Sequence, residues 1–487
     1  MPAKQPSRLS LESPFPTTVP GLDAILGGGL PVGDLLFIMG VPGAGKTVLA
    51  LQIAFGRIRS GGRVLFLTTF SESHDKLIGH VAGFDFFDRA AVGQQLQLLS
   101  IFPMLSEGAE ETVRSLVRTA RQKRIELVVI DGFRGIRDAF ASDYAMRQFL
   151  QLLSTQLSYL GTTLVLTIET DGSEIGLHSA LTTADSLLAL SIERSGQHSH
   201  RLLEARKVRG QAPLLGIHRY RIDRAGVRVF PRVEAMPIET LSAVATGRAP
   251  FNLPALDTML RGGLTSSTAT LVGGSPGTGK TLLAIQYLLA GAAIGEQGLF
   301  VTLQETPEQL FDKALAFGLN LEQAVAAGQI QIIRRPPVEL DVDELADVIR
   351  RHVMEHQTRR LVFDGLNALQ HAFTRDGRGQ NYLAALLELL RARQVTSLFI
   401  SEETRIVGFE PDNQAIPLYI LSSNMLLLRH VEYRSRLHRI ISIVKTRFSE
   451  YDPAIREFTI GPGGIEVGEP LVDAEGLLTG VATVRPT

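Results

Sequence analysis

The sequence predicts an α/β fold made twice: two tandem domains, each a mostly parallel β-sheet flanked by helices. Three observations predict it. Short β-branched apolar runs alternate with longer segments of helical spacing, which is the pattern of parallel strands joined by crossover helices. The block Leu22–Thr47 (LDAILGGGLPVGDLLFIMGVPGAGKT) aligns without gaps on Leu256–Thr281 (LDTMLRGGLTSSTATLVGGSPGTGKT), with 12 of 26 positions identical. In both copies a Gly-rich stretch ending in Lys-Thr stands between a strand pattern and a helix pattern. The offset is 234 residues at this stretch and 233 at a later Asp. A period that long is a whole domain, because stacked repeats have periods of about 20 to 50 residues.

Taken in order, residues 1–15 are rich in Pro and Ser and are expected to be flexible. The first domain, 16–231, carries the strand runs LLFIM, RVLFLTT, ELVVID and TTLVLTI, and the helical segment TVLALQIAFGRIRS. A linker, 232–249, falls in PRVEAMPIETLSAVATGRAP, which has Pro at both ends and no sustained periodicity. The second domain, 250–467, repeats the runs as TATLVGG, GLFVTL, RLVFD and SLFIS. The tail, 468–487, carries little pattern and is expected to be mobile.

The chain has 487 residues, 45% hydrophobic and 20% charged, ample for two cores. Lys and Arg total 49 against 50 Asp and Glu, so no global field draws nucleic acid or an anionic membrane. Zero cysteines exclude disulfides, thiolate metal sites, iron–sulfur clusters and a cysteine nucleophile. No apolar run approaches the ~18 residues of a membrane span. The start, MPAKQPSRLSLESPFP, lacks the apolar block of a secretory signal. The sequence therefore reads as cytoplasmic, with no membrane partner.

The strongest chemical signal is GVPGAGKT at Gly40–Thr47, repeated as GSPGTGKT at Gly274–Thr281. After a strand and before a helix, such a loop turns backbone N–H groups inward around a phosphate, and the opening helix aims its positive dipole end at the same anion. Gly43, Ala44 and Gly45, and Gly277, Thr278 and Gly279, form the cradle, with Val48 and Leu282 just inside the helices. Lys46 and Lys280 reach the β- and γ-phosphates, and Thr47 and Thr281 supply hydroxyls for Mg²⁺, a hard cation that takes oxygen ligands. Asp131 in ELVVID and Asp364 in RLVFD, each ending an apolar strand, are the matching acidic Mg²⁺ ligands. Alone, such an Asp is more often a turn or cap residue. Its recurrence about 84 residues after the phosphate loop in both copies favours the metal role.

Hydrolysis also needs a group that orients or deprotonates water. Glu72 in TTFSES and Glu305 in TLQETP are the candidates. The same segments serve equally as helix caps. Gln304 can position water but cannot accept its proton at neutral pH.

Together these residues resemble the KaiC family of RecA-like ATPases: tandem halves, LDxxLxGGL before each phosphate loop, Ser-Glu or Gln-Glu after the next strand, then VID or VFD. The resemblance covers about Pro20 to Val467 and implies two tandem RecA-like P-loop NTPase domains that bind ATP and Mg²⁺. It assigns Arg201, Lys207, Val208, Arg209 and Asp223 to nucleotide binding in the first half, and Arg439, Lys445, Thr446 and Arg447 in the second. In the family the Lys-x-Arg element crosses a subunit interface to the neighbour's γ-phosphate, which suits donors that stabilise a transferring phosphoryl group only once docked. The resemblance further implies a double-ring homo-hexamer and a signalling protein partner, KaiB-like or linked to a histidine kinase. Two departures stand out. Active members place two adjacent glutamates where this chain has Ser71-Glu72 and Gln304-Glu305, which predicts slow turnover. At the family's adjacent Ser-Thr phosphorylation pair this chain has Tyr419-Ile420, with Ser422 and Ser423 close by.

Three functions follow for testing. The leading one is a slowly hydrolysing hexameric ATPase whose nucleotide state controls a protein partner. The second is a Ser/Thr autokinase of the same fold. The third is a DNA recombination or helicase motor. It is kept open by the arginines of TRDGRGQNY at 374–382, since loops there can face the channel of a RecA-like ring. Balanced charge, 6% aromatics and no tryptophan count against it. The run Arg118–Arg124 reads as a solvated helix face, and Phe84, Phe86 and Phe87 as core.

Overall fold

The computed structural model describes residues 13–69, 74–170, 181–195, 198–237, 247–338, 340–373, 377–402, 418–433, 435–471, 474–475, 477 and 483–484. The chain divides into two compact units, Met1–Met236 and Pro237–Thr487.

The first unit is built on nine strands: β1 (Leu35–Gly40), β2 (Val64–Thr68), β3 (Leu96–Ser100), β4 (Leu127–Asp131), β5 (Thr163–Glu169), β6 (Ser186–Ser195), β7 (His198–Val208), β8 (Ile217–Asp223) and β9 (Gly226–Phe230). Their order is β3-β2-β4-β5-β1-β6-β7-β8-β9. From β3 to β6 every pairing is parallel. From β6 onward the sheet continues as an antiparallel meander.

Burial explains the parallel part. β2 is buried at all five positions, and β1 and β4 at nearly all, as strands covered on both faces must be. On one face, helix Lys46–Arg59 buries Leu49, Ile53, Phe55 and Ile58 in a single core cluster. Helices Ala109–Lys123 and Asp143–Ser158 bury Leu116, Phe149, Leu150 and Leu153 on the other. Phe86 is buried, and both it and Phe87 pack on Phe55, with ring centroids at 6.0 and 5.3 Å. Truncating a buried Phe of this kind costs about 3 to 5 kcal/mol. That is comparable to the whole net stability of many domains, so this aromatic packing helps hold the helix that carries the phosphate loop.

The second unit opens with a short ribbon, β10 (Arg248–Ala249) and β11 (Leu264–Thr265). Its main strands are β12 (Ala269–Gly274), β13 (Gly298–Thr302), β14 (Ile330–Arg334), β15 (Arg360–Asp364), β16 (Thr396–Ser401), β17 (Asn424–Tyr433), β18 (Arg436–Thr446), β19 (Arg456–Gly461) and β20 (Gly464–Pro470). The order β14-β13-β15-β16-β12-β17-β18-β19-β20 repeats the first sheet strand for strand. Both units are α/β with mostly parallel sheets.

At the chain ends order extends further than composition implied. Phe15 is buried and exchanges backbone hydrogen bonds with Leu30 at 2.9 Å in both directions. Beyond β20, Ala474–Glu475 pairs with Thr483–Val484, and Leu477 is buried beside Val431 and Ile440. Residues 238–246, in the expected linker, lie outside the described residues. Among the described residues no helix is long and apolar enough to cross a membrane.

Candidate functional site

β1 ends at the centre of its sheet, between β5 and β6, and the chain turns through Val41–Gly45 into helix Lys46–Arg59. The turn requires glycine at its last position. Gly45 caps the helix with φ +89°, in the left-handed region, and a Cβ there would stand 2.3 Å from Ile222 Cδ1. Gly279 repeats this in the second unit, with φ +100° and Ile460 Cδ1 at 2.8 Å. Side chains of the antiparallel meander therefore back each loop. In the first unit Tyr220 of β8 also donates its hydroxyl to the Ala44 carbonyl.

Each loop lysine folds over its own turn. Lys46 Nζ donates to the carbonyls of Gly40 (2.9 Å) and Val41 (3.0 Å), and Lys280 Nζ to those of Gly274 (2.7 Å) and Ser275 (2.8 Å). Burial holds both ammonium groups below the ordinary lysine range. Glu169 and Asp131 oppose that shift at Lys46, and Glu402 and Asp364 at Lys280.

The next residue in each helix reaches the neighbouring strand end. Thr47 Oγ1 donates to Asp131 Oδ2 at 2.9 Å, and Thr281 Oγ1 to Asp364 Oδ2 at 3.0 Å. The two halves thus bring the same hydroxyl and carboxylate together. Burial pushes the Asp364 carboxyl up to about 6, with Glu305 adding to the shift, while Thr281, Lys313 and Lys280 oppose it. Around Asp131 the first half adds Thr167, whose hydroxyl donates to Asp131 Oδ1.

The donor set suits a triphosphate with a hard divalent cation. A left-handed glycine and a helix start offer backbone N–H groups to an anion, a hydroxyl and a carboxylate offer oxygen ligands, and Arg201 Nε and Arg439 Nε are buried with no hydrogen-bond partner among the described residues.

The remaining candidates are placed unevenly. Glu72 lies outside the described residues. Gln304 is exposed, whereas Glu305 is half-buried and close enough to raise the Asp364 carboxyl. Lys207 and Arg209 lie at the opposite end of the strands from the loop of their own half. There Lys207 Nζ donates to the Ala184 carbonyl, and Arg209 pairs with Asp185 at 2.9 Å. Lys445 and Arg447 repeat the arrangement on the carbonyls of Ser422 (2.7 Å) and Ile420 (2.8 Å). Val208 is buried, and Thr446 Oγ1 donates to the Ser449 carbonyl at 2.5 Å. Asp223 shapes the β8–β9 turn, accepting from Ala225 N at 2.9 Å and pairing with Arg221 at 3.2 Å. Ser422 is fully buried and Ser423 half-buried. Of the segment 374–382, expected as a loop, residues 374–376 lie outside the described residues, Arg378 is paired with the buried Asp343 at 2.8 Å, and Gly379 already opens helix Gly379–Ala392, because QNYLAALLELL carries a helical apolar stripe.

Sequence reasoning missed Glu169, which ends β5, and Glu402, which follows β16; both act on the loop lysines. Their recurrence at the same 233-residue offset was the available signal. It also missed Lys313, paired with Glu305, and His430, beside the second loop.

The family model of the KaiC ATPase matches residues 15–234 and again 249–472. Among curated proteins, the circadian clock oscillator protein KaiC of Picosynechococcus sp. is 26% identical over 482 residues, covering 96% of this chain and 92% of the relative. The same-named protein of Rippkaea orientalis is 25% identical over 479 residues, covering 96% and 91%. Circadian clock oscillator protein KaiC 1 of Synechocystis sp. is 24% identical over 479 residues, with the same coverage. With two loops of one geometry in a duplicated sheet, and a family match across nearly all of both units, the chain belongs to the KaiC family of ATPases.

Proposed function

We propose that the chain is an ATP-binding, slowly hydrolysing ATPase that assembles as a double-ring homo-hexamer, its nucleotide state gating a signalling protein partner. One observation carries the reading: each Lys-x-Arg element is out of reach of its own phosphate loop. Lys207 pairs in register with Leu187, and Val208 with Ser186, at the start of β6. Ser186 in turn lies opposite Leu36, at the start of β1. The loop begins past Gly40, four residues along β1, or roughly 13 Å away at the rise of a strand. The second unit repeats this, with Thr446 against Asn424 and Asn424 against Thr270. Such a cation needs a different domain to meet a γ-phosphate, and in this reading a neighbouring copy supplies it.

In this reading the loop N–H groups, Lys46 and Lys280 bind the phosphates, while Thr47 with Asp131 and Thr281 with Asp364 hold Mg²⁺. Bound Mg²⁺ neutralises charge on the phosphate oxygens. Arg201 and Arg439 supply further donors from beside the loops. Glu305 orients water in the second half and Glu72 is its counterpart in the first. With Gln304 exposed, a single carboxylate serves the second half, which suits slow turnover. The partner is a signalling protein, KaiB-like or histidine-kinase-linked, by the resemblance. No observation favours the autokinase or DNA-motor readings, since Ser422 is buried and Arg378 is committed to Asp343.

Mass measurement of the purified chain with and without Mg²⁺ and ATP, together with extraction of bound nucleotide, tests the proposal. A six-copy particle holding two adenine nucleotides per chain is expected. A lone protomer under saturating nucleotide would refute it.

A further inference from the structure

Glu305 and Lys313 meet across the start of a helix. Helix Pro307–Ala316 is fixed by a reciprocal cap: Thr306 Oγ1 accepts from Gln309 N at 3.3 Å, and Gln309 Oε1 accepts from Thr306 N at 2.9 Å. Glu305 stands immediately before that cap. Its backbone is pinned as well, because Thr302 Oγ1 accepts from Glu305 N at 3.1 Å and donates to Glu305 O at 3.2 Å. Only the side chain of Glu305 retains freedom, and Lys313, two turns into the helix, removes it by forming an ion pair with Oε1. The second oxygen, Oε2, is buried and has no hydrogen-bond partner among the described residues. Both groups lie close enough to Asp364 to bear on its ionisation, so the pair borders the site holding Thr281 and Asp364.

We infer that Lys313 is a positioning residue for hydrolysis in the second half: it holds Oε1 of Glu305 and so leaves Oε2 as the oxygen that orients the attacking water. The inference rests on the reading of Glu305 as the water-orienting group and adds to it the group that fixes its geometry. Side chains 35% and 28% exposed form an ion pair that contributes little to folding, so its value lies in orientation. Lysine suits the task as a point charge on a long stem that needs no planar match.

The test measures steady-state ATP hydrolysis of the full chain in an Arg209→Ala background, where first-half turnover is depressed and loading retained. Lys313→Met is expected to lower kcat about tenfold with KM for ATP within twofold, since misplacing a catalytic group by a fraction of an ångström has effects of this order. Lys313→Arg is expected to keep most of the rate. Glu305→Gln is expected to lose roughly a hundredfold. Lys313→Met added to Glu305→Gln should lose nothing further, an outcome that a merely structural lysine would not give. Unchanged thermal unfolding certifies that each variant is folded. Full or accelerated turnover of Lys313→Met beside an impaired Glu305→Gln overturns the inference. So does a Lys313→Met loss that persists undiminished in the Glu305→Gln background. Undiminished turnover of Glu305→Gln itself removes the reading of Glu305, and the inference with it.

Discussion

The two halves share one sheet order and one Thr–Asp contact, at 2.9 and 3.0 Å, yet the groups around that contact differ. The second site is drier: Lys280 and Asp364 are buried, while Lys46 and Asp131 are half-buried. Opposite Asp131 the adjacent strand presents Thr167; opposite Asp364 it presents Ile400. In register with Arg201 stands Ile192, whereas Arg439 faces His430. His430 Cε1 lies 4.0 Å from where a side chain on Gly277 would begin. At the far end of the strands Arg209 is held by Asp185, whereas among the described residues Arg447 donates to the Ile420 carbonyl, Ser423 standing in the aspartate's place. Asp185 N and Ser423 N make the same bond to the first strand, at 3.0 and 2.9 Å, which fixes that equivalence. The Thr–Asp contact is thus set by the fold, while the groups around it differ between the halves.

The largest expected effect comes from the loop lysines. Lys46→Ala and Lys280→Ala should each weaken nucleotide binding in their own half by roughly a hundredfold, the scale of losing a charge-assisted contact to phosphate. Extracted nucleotide should fall from two to one per chain in either case. A variant that keeps both would break the equivalence of the halves.

A smaller effect should follow from making the far strand ends alike. Ser423→Asp gives Arg447 the acid that Arg209 already has, and an exposed pair of this kind is worth about 0.2 to 1 kcal/mol. Second-half turnover should slow by up to about fivefold, as the new carboxylate competes with a neighbour's phosphate for Arg447. Faster turnover would contradict the view that Asp185 restrains Arg209.

The smallest effect concerns stability. Burial pushes the Asp34 carboxyl up to about 6, and Asp185 adds to the rise, against the Ser186 hydrogen bond, Arg209 and Lys207. A carboxyl whose folded pKa lies above its unfolded value costs stability above pH 6, and that cost is relieved as the pH falls from 6 towards 3.8. Asp34→Asn keeps an acceptor for Ser186 and should stabilise the chain at pH 8 by on the order of 1 kcal/mol, discounted for remaining solvent contact. Thermal unfolding should show the gain shrinking by pH 5 and gone by pH 4. A gain independent of pH would exclude ionisation as its cause.

How much of this was legible follows from burial. β1, β2, β4 and β5 stand out in the sequence because strands covered on both faces are continuous apolar runs. The meander does not. β7 reads HSHRLLEARKV, with two histidines, two arginines, a glutamate and a lysine on a strand exposed on one side, and no apolar run marks it. The loops, Asp131 and Asp364 were legible because their chemistry demands a fixed local string. Glu169, Glu402 and His430 carry no such string, since they approach the loop from neighbouring strands and strand ends through pairing register; only the repeat offset marked the two glutamates. The Glu305–Lys313 contact spans eight residues and exists only because a helix cap turns the chain between them.

The central claim is that a neighbour completes each pocket, and subunit mixing tests it most directly. One variant carries Lys46→Ala and the other Lys207→Ala with Arg209→Ala, both in a Lys280→Ala background so that only first halves report. Each alone should be nearly inactive. On mixing under conditions that allow exchange, intact Lys207 and Arg209 from one chain meet an intact loop on the other, and the account predicts that ATP hydrolysis returns to a substantial fraction of the Lys280→Ala rate. Mixtures that exchange subunits yet stay as inactive as their components would contradict it.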